Sequence, residues 1–311
     1  MGEFGTGGVV PVRRGVGAVG AVAAAVVLLA GCGSQVAGAA GAGGGPSVAG
    51  SGSAGPCGVA SASPGPVAKD GVRITAASAA CAEYEVTNPG AEAADVTVVF
   101  GRSGAAGGVL GNETRTVRDL APGATGKGRV ELDGKGSVLT VVKVRSVPSA
   151  EASRPDGPCP ASGVRVSADD GDAAMGLRVV GLHLRNCGTA TVNLNGYPDL
   201  QLLDVGHRPV DGVRLLHGGA QIASGTGADD PPRPLALKPG EGARSTLAWR
   251  NTTEAGAGDA VNAPYVRVRV MPGAAPVTVV PELDLGTTGR LGVGAWVRED
   301  GQPPATRPPA G

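Results

Sequence analysis

Short runs of β-branched residues, separated by Gly, Asn and Asp, recur along most of the chain and strongly limit what it can fold into. Residues 96–100 (Val-Thr-Val-Val-Phe) and 138–147 are examples, and in 265–270 valines alternate with Tyr and Arg as in a half-exposed strand. Aromatic residues make up only 2% of the chain, whereas there are 55 Gly and 25 Pro. The core must therefore be built from aliphatic side chains, and the punctuation by Gly and Pro favours strands and turns over long helices. We predict an all-β fold.

The formal net charge is 0 and the sequence pI is about 6.8. A chain without excess positive charge has no long-range field that attracts phosphate backbones. We therefore expect no nucleic-acid partner.

The N-terminal segment has the features of a secretion leader. Arg13 and Arg14 precede an apolar run from Gly15 to Gly31, and small residues lie directly before Cys32. A membrane-spanning helix needs about 20 apolar residues, more than this run provides, and no basic cluster follows it. We predict a signal peptide over residues 1–31.

The sequence Leu-Ala-Gly-Cys at 29–32 resembles the lipobox of bacterial lipoproteins, whose cysteine is lipidated on sulfur and becomes the new N-terminus. The resemblance implies that Cys32 carries fatty acyl chains such as palmitate and begins the mature protein. It also implies that the membrane is a partner through this anchor, with the folded part on the extracytoplasmic face.

Four cysteines remain, and an even number in an exported chain indicates disulfide bonds, with three possible connectivities. Their spacing favours closure within each half of the chain. No C-x-x-C or H-x-x-x-H spacing is present, so a thiolate metal site is not indicated. The favoured pairs are Cys57 with Cys81 and Cys159 with Cys187.

Changes in composition divide the chain into segments. Residues 32–56 are almost entirely Gly, Ala, Ser and Pro, as in a flexible tether. Strand-like sequence follows on both sides of a Pro-containing junction. We predict two tandem immunoglobulin-like β-sandwich domains after the signal peptide and tether. The boundaries are 57–148 for the first sandwich, 149–158 for the linker, 159–298 for the second sandwich and 299–311 for a disordered tail.

A weak internal repeat supports two domains of one kind. "EYEVTNPGAEAADV" is followed by "LAPGATGKGRVEL" in the first half, and "LHLRNCGTATVNL" by "LKPGEGARSTLAW" in the second. In Leu-x-Pro-Gly, Pro presets the first central position of a turn and Gly supplies the positive φ that a type II turn needs.

The second half resembles domain of unknown function 4232, which occurs in secreted lipoproteins of Actinobacteria. The resemblance covers about Cys159 to Val297, and its most telling pieces are Asn186-Cys187-Gly188, Asn195-Gly196-Tyr197-Pro198 and Leu237-Lys238-Pro239-Gly240. It implies a β-sandwich on the cell surface, with a disulfide that joins Cys187 to Cys159. It implies no reaction.

Motifs that carry chemistry are absent from the sequence. G-x-S-x-G, S-x-x-K, H-E-x-x-H and a Walker loop do not occur, so we predict no enzyme activity and no cofactor. An alternative is a binder of copper, zinc or a small solute that uses a histidine face formed by His183, His207 and His217. The run Asp169-Asp170-Gly171-Asp172 lacks the order of a calcium loop and is predicted to be a solvated turn.

The second half also contains an insertion at 206–234. Asn88 and Leu120 are 32 positions apart, whereas the comparable Asn186 and Leu237 are 51 apart. Long insertions on a rigid scaffold often carry binding surfaces, although this one could instead add a strand or hairpin. The candidate contacts are Arg214, His217, Asp229 and Arg233.

The scarce aromatic side chains allow two interpretations. A carbohydrate patch could include Tyr197, Trp249 and Trp296, but packing is the expected role in a chain with so few aromatics. The sequence thus predicts a non-enzymatic binding or interaction module of the cell envelope, whose partner is an envelope protein or a small ligand.

Overall fold

The structure is a computed structural model that describes residues 57, 68–104, 106–132, 137–256 and 258–299. All regular secondary structure in these residues is β-strand, which confirms the all-β prediction. The described ranges include no helix of the length and hydropathy that crossing a membrane requires. The predicted signal peptide, Cys32 and the tether lie outside the described residues, as does the tail after Glu299.

The first half contains two antiparallel sheets. One sheet has the strand order β1-β2-β3-β6 and the other has the order β5-β4-β7. Their strands are β1 (Ala68–Lys69), β2 (Val72–Ala77), β3 (Cys81–Thr87), β4 (Ala94–Ser103), β5 (Val109–Leu120), β6 (Thr125–Glu131) and β7 (Val138–Pro148).

A compact aliphatic core unites these two sheets. Val86 from one sheet and Val98 from the other are fully buried in the same cluster. Tyr84 and Phe100 pack with ring centroids 4.8 Å apart, so they contribute aromatic contact to an otherwise aliphatic core. Alternation of buried and half-buried residues along β3 and β4 places this core on one face of each sheet.

The second half is larger and is built around a seven-stranded sheet. Its main strand order is β13-β20-β15-β10-β8, with β21 also paired to β15 and β9 to β10. Smaller sheets have the orders β12-β17-β18, β11-β14 and β16-β19. The strands are β8 (Val164–Ala168), β9 (Asp172–Ala174), β10 (Leu177–Asn186), β11 (Val192–Leu194), β12 (Asp199–Leu203), β13 (Arg214–His217), β14 (Leu235–Leu237), β15 (Gly242–Arg250), β16 (Val261–Ala263), β17 (Tyr265–Arg269), β18 (Val277–Val279), β19 (Leu283–Gly286), β20 (Arg290–Val293) and β21 (Val297–Glu299).

The core of the second half contains both tryptophans. Trp249 and Trp296 are each only 2% exposed and belong to the same cluster as Leu182, Leu247 and Val268. The Trp249 indole N–H donates to Asp284 Oδ1 at 2.9 Å, so its polar edge is satisfied. Both tryptophans therefore have the packing role that the sequence favoured, and neither forms a carbohydrate patch.

The same asparagine arrangement occurs in both halves. Asn88 is 2% exposed, and its side-chain amide donates to the carbonyl oxygens of Glu92 and Leu120, each at 2.8 Å. Its Oδ1 accepts from the backbone N–H of Gly90 at 2.9 Å. One side chain thus joins its own turn to the end of β5.

Asn186 repeats these contacts in the second half. It is fully buried, its amide donates to Ala190 O at 2.8 Å and Leu237 O at 2.9 Å, and its Oδ1 accepts from Gly188 N at 3.1 Å. The two near partners lie two and four residues after the asparagine in both halves, whereas the distant carbonyl is 32 positions away in the first half and 51 in the second, after the insertion.

The Leu-x-Pro-Gly turns complete the equivalence. Gly123 and Gly240 have φ values of +68° and +85°, as the turn chemistry predicted. The N–H of Gly123 donates to Asn88 O, and that of Gly240 donates to Asn186 O. The sequence repeat therefore corresponds to one structural arrangement that occurs twice.

The segment between the halves, 149–158, is in contact with both of them. Ala152 forms a parallel bridge with Thr278, and Glu151 Oε2 accepts from Arg267 Nε at 2.8 Å. Arg154 on the other side pairs with Asp95 at 3.1 Å. Polar contacts thus hold this predicted linker against β4 and against β17–β18.

A direct junction between the halves lies beside this segment. The guanidinium of Arg145 in β7 donates two hydrogen bonds of 2.8 Å to the carboxylate of Glu282. Val147, Leu203 and Tyr265 form a small buried cluster next to it. The junction therefore combines a bidentate ion pair with apolar contact.

Each half contains one disulfide, and both disulfides join the pairs that the cysteine spacing favours. Cys57 is joined to Cys81, and Cys159 is joined to Cys187. Cys57 and Cys81 are each 3% exposed, whereas Cys159 is exposed and Cys187 half-buried. The two bridges therefore differ in their access to solvent.

Candidate ligand-binding pocket

The three histidines have separate partners. Both ring nitrogens of His183 face carboxylates, the ring of His207 packs on Tyr265 with centroids 4.4 Å apart, and His217 stacks on Tyr197. Among the residues that the structure describes, no group of three or more His, Cys, Asp or Glu side chains could hold a metal ion. The histidine-face alternative gains no support from this geometry.

His183 lies in a clamp of two carboxylates. Its Nδ1 is 2.8 Å from Glu299 Oε1 and its Nε2 is 3.1 Å from Asp169 Oδ2. Two glycines leave space for the carboxylates of the clamp. A Cβ at Gly181 would collide with Asp169 Oδ2, and a Cβ at Gly242 would lie 3.0 Å from Glu299 Oε2. Glu299, which the sequence assigned to the tail, is thereby fixed as the last residue of β21.

The clamp changes the protonation of its members. The hydrogen bond to Asp169 raises the pKa of His183 against the opposing effect of burial, and Glu299 raises it further. Burial of Asp169 opposes its ionisation, but hydrogen bonds from His183 and from the N–H of Gly181 keep the pKa of Asp169 below its ordinary value. The clamp therefore favours the charged imidazolium of His183 more than water does, because both ring N–H groups can then donate to a carboxylate.

We expect His183→Gln to lower the stability of the protein in a pH-dependent way. A raised His183 pKa means that the clamp stabilises fully below the ordinary histidine pKa of about 6.5 and loses this contribution as pH rises through the higher folded value. The lowered pKa of Asp169 keeps its contribution until pH falls through that lowered value, below about 3.9. The expected loss on substitution is about 2 kcal/mol near pH 5.5 and smaller at pH 8.5.

Urea denaturation of the wild type and the variant at both pH values measures this difference. His217→Gln, which removes a histidine outside the clamp, is the matched control. A loss on His183→Gln that is equal at the two pH values contradicts the expectation.

Asp169 also closes the acidic turn. Its Oδ1 accepts from the N–H of Gly171 at 3.0 Å, and Gly171 has a φ of +66°. Asp170 and Asp172 are exposed. Asp170 is therefore exposed to solvent as predicted, whereas Asp169 is held in the clamp and Asp172 begins β9.

The insertion at 206–234 adds a strand to the large sheet. β13 pairs in parallel with β20, from Arg214 opposite Arg290 to His217 opposite Val293. Downstream of β13, Ala228 is 1% exposed, and a Cβ on Gly294 would lie only 3.1 Å from its Cα. Of the two interpretations, the structure shows the added strand, and glycine in the adjoining segment allows the insertion to pack closely.

The four candidate contacts of the insertion are all exposed. Asp229 has a structural bond, because its Oδ1 accepts from the N–H of Gly219 at 2.7 Å. His217 stacks on Tyr197 with ring centroids 3.9 Å apart and an interplanar angle of 5°. Arg214 lies at the start of β13 and Arg233 directly precedes Pro234. His217 links the insertion to a pocket, because its stacking partner Tyr197 lines that pocket.

This pocket lies beside β11–β14 and the ends of β12 and β17. Its volume is about 780 Å³. Its apolar floor consists of Leu235 and Met271, which are half-buried, together with Pro234 and Pro272. The polar lining consists of Asn193, Asn195, Tyr197, Asp199 and Arg269.

The polar lining is available to a ligand. Within the described ranges, the amides of Asn193 and Asn195 and the hydroxyl of Tyr197 make no hydrogen bond to protein. Asp199 and Arg269 face each other across β12–β17 at 3.7 Å. Small-molecule sites are typically concave spaces of about 300–1,000 Å³ with an apolar lining and a few polar groups, as here.

A second cleft of about 640 Å³ lies at the junction of the halves. Five of its charged groups are paired, Lys143 and Arg145 with Glu282 and Arg178 with Asp284, while Asp170 and Asp172 also line it. A ligand there would have to compete with these ion pairs. The pocket beside β11 is therefore the better candidate.

Sequence reasoning reached this pocket only in part. The sequence indicates Tyr197 as a member of a possible carbohydrate patch and His217 as a candidate contact of the insertion. It indicates no binding role for Asn193, Asn195 or Arg269. The alternation of Asn193, Leu194 and Asn195, exposed-buried-exposed along one strand, is a signal that could have identified two of them.

Comparison with known proteins places one part of the chain. Residues 159–297 match a family model described as Domain of unknown function (DUF4232), which confirms the resemblance of the second half. No curated protein matches the chain.

Solved structures give weak likenesses. A putative β-galactosidase from Bacteroides fragilis has 13% identity and a TM-score of 0.22, with 68% of this chain and 33% of that chain covered. A transglutaminase of red sea bream has 13% identity and a TM-score of 0.16, with 70% and 28% covered. The chain thus spans about a third of the length of these structures.

Proposed function

Starting from a second half that matches the DUF4232 family, we propose that the chain is a lipid-anchored extracytoplasmic protein that binds a small ligand or envelope component and catalyses no reaction. The observation that carries this proposal is the pocket beside β11. Within the described ranges, the side chains of Asn193, Asn195 and Tyr197 make no hydrogen bond to protein and lie beside apolar lining residues, a combination that is typical of a binding site.

The proposed architecture is two tandem immunoglobulin-like β-sandwiches. Each half has its own core cluster and its own copy of the buried asparagine arrangement. The junction through Arg145 and Glu282 holds the pocket-bearing half against the half nearer the anchor.

The anchor is tested by mass spectrometry of the protein from detergent-solubilised membranes. We expect a mature chain that begins at Cys32, with its sulfur and α-amino group acylated. Cys32→Ser should abolish both the modification and the membrane attachment, while Cys159→Ser, another cysteine substitution, should leave attachment intact. An unmodified chain that retains residues 1–31 contradicts the anchor.

The binding role is tested by blocking the pocket. Ala236 is exposed and lines the pocket, so an indole at this position should fill it. Native mass spectrometry after incubation with a polar extract of the cell envelope should detect a bound small molecule on the wild type and none on Ala236→Trp. Ala91→Trp, an exposed alanine outside the pocket, should behave as wild type. Equal spectra for all three proteins contradict this role.

A further inference from the structure

We propose that the pocket beside β11 binds a neutral saccharide, with one sugar ring against Tyr197. This inference rests on the proposed binding function and assigns a ligand class to the same site. It is drawn from the aromatic platform, the free amides and the charge balance of the pocket.

Tyr197 provides a fixed aromatic platform. One face of its ring is covered by the parallel imidazole of His217 at 3.9 Å, and the ring also lines the pocket. The loop that carries it is held by the hydrogen bond from Trp296 N to Gly196 O at 2.9 Å, and the next residue, Pro198, is buried. An aromatic face that is already positioned loses little entropy when the apolar C–H face of a sugar ring packs on it.

The amides of Asn193 and Asn195 match the hydroxyl groups of a sugar. Asn193 lies in β11 and Asn195 directly follows it; both are exposed, on either side of the buried Leu194, and both line the pocket. Each amide offers donors and an acceptor, and each sugar hydroxyl likewise donates and accepts. Adjacent hydroxyls on a ring can therefore bond to the two amides at once.

The charge of the pocket favours a neutral ligand. Asp199 and Arg269 form a facing pair at 3.7 Å and their formal charges cancel. Both groups are partly exposed, with side chains 69% and 37% accessible, so either can still accept from or donate to a hydroxyl. A charged ligand would find no unpaired opposite charge among these lining residues.

The apolar floor completes the match. Leu235, Met271 and Pro272 lie beside the polar groups in the lining of the pocket. A pyranose has hydroxyls at its rim and C–H groups on its faces, so it can contact this floor and the amides together. A ligand without an apolar face would leave the floor hydrated, and one without hydroxyls would leave the amides unpaired.

Saturation-transfer difference NMR on the full chain tests the inference. The detergent must lack a sugar headgroup, and the probes are maltotriose, cellotriose, mannotriose and the trimer of N-acetylglucosamine. We expect transfer to the ring C–H protons of at least one trimer, with weaker or no transfer to free glucuronic acid as a charged probe.

Variants separate pocket binding from surface binding. Tyr197→Ala should abolish transfer, and Asn195→Ala should weaken the affinity at least tenfold. Tyr197→Phe keeps the platform and should retain most of the affinity, which guards against loss through misfolding. Asn262→Ala, an exposed strand asparagine outside the pocket, is the matched control.

The inference is overturned if no trimer shows transfer, or if Tyr197→Ala and Asn195→Ala bind as the wild type does. Absence of saccharide transfer, combined with a different small molecule that Ala236→Trp excludes in native mass spectrometry, would overturn the saccharide class and leave the proposed binding function standing.

Discussion

Asn186→Ala is expected to lower the free energy of unfolding by about 2–3 kcal/mol, because a buried polar group left unpaired costs about 1–3 kcal/mol. The substitution removes the side chain that donates to Ala190 O and Leu237 O and accepts from Gly188 N, in a position that is fully buried. Leu237 is also fully buried, so its carbonyl gains no direct access to water, whereas Ala190 is exposed and Gly188 N also donates to Gly163 O. Urea denaturation, followed by the fluorescence of the buried tryptophans, measures the loss.

The equivalent substitution in the first half gives a second test. Asn88→Ala removes the same three bonds and should cost a similar amount, because Asn88 is only 2% exposed. Asn186→Asp keeps the shape and the acceptor but loses both donors, so it should also destabilise. Asn112→Ala, in an exposed position of β5, should change stability by less than about 0.5 kcal/mol. A loss below 1 kcal/mol for both buried asparagines would contradict their structural role.

The asparagines show both the reach and the limit of sequence reasoning. The repeat of strand, Asn-x-Gly turn and Leu-x-Pro-Gly turn depends on residues that are adjacent in the sequence, so it can be predicted from the sequence. The hydrogen bonds from Asn88 to Leu120 and from Asn186 to Leu237 cannot be predicted in this way, because the partners are 32 and 51 positions apart. The insertion changes that distance without changing the bond.

The pocket was only partly predictable for a similar reason. Asn193 and Arg269 line the same pocket although they are far apart in the sequence, and composition does not predict such an arrangement. The same applies to Glu299, whose Pro-rich surroundings indicated a tail. Its side chain reaches His183 only because β21 pairs with β15 beside Gly242.

The junction shows how a polar segment can be ordered. Residues 149–158 have no hydrophobic periodicity, and this favoured a linker. The structure holds them through specific polar contacts: Ser149 Oγ donates to Asp95 at 2.6 Å, and Thr278 Oγ1 donates to Glu151 at 2.9 Å. Order here depends on partners from both halves and therefore could not be inferred from the segment alone.

The two disulfides should be reduced in a definite order under native conditions. Thiol–disulfide exchange requires a thiolate to reach a sulfur, so solvent access controls the rate. Cys159 is exposed, whereas Cys57 and Cys81 are each 3% exposed. With a dilute dithiol reductant we expect alkylation of Cys159 and Cys187 first, detected by mass spectrometry of peptides, and alkylation of the other pair only after partial unfolding.

Removal of either bridge by substitution should nevertheless cost a similar amount. The bridges close loops with sequence separations of 24 and 28, and the chain-entropy relation gives about 3.5 kcal/mol for loops of this size. Paired Cys→Ser variants, compared by urea denaturation, measure each cost. The combination of unequal reduction rates and equal stability losses would show that burial controls the kinetics while loop length controls the stabilisation. Faster reduction of Cys57–Cys81 in the folded protein would mean that the first half opens more readily than its buried core indicates.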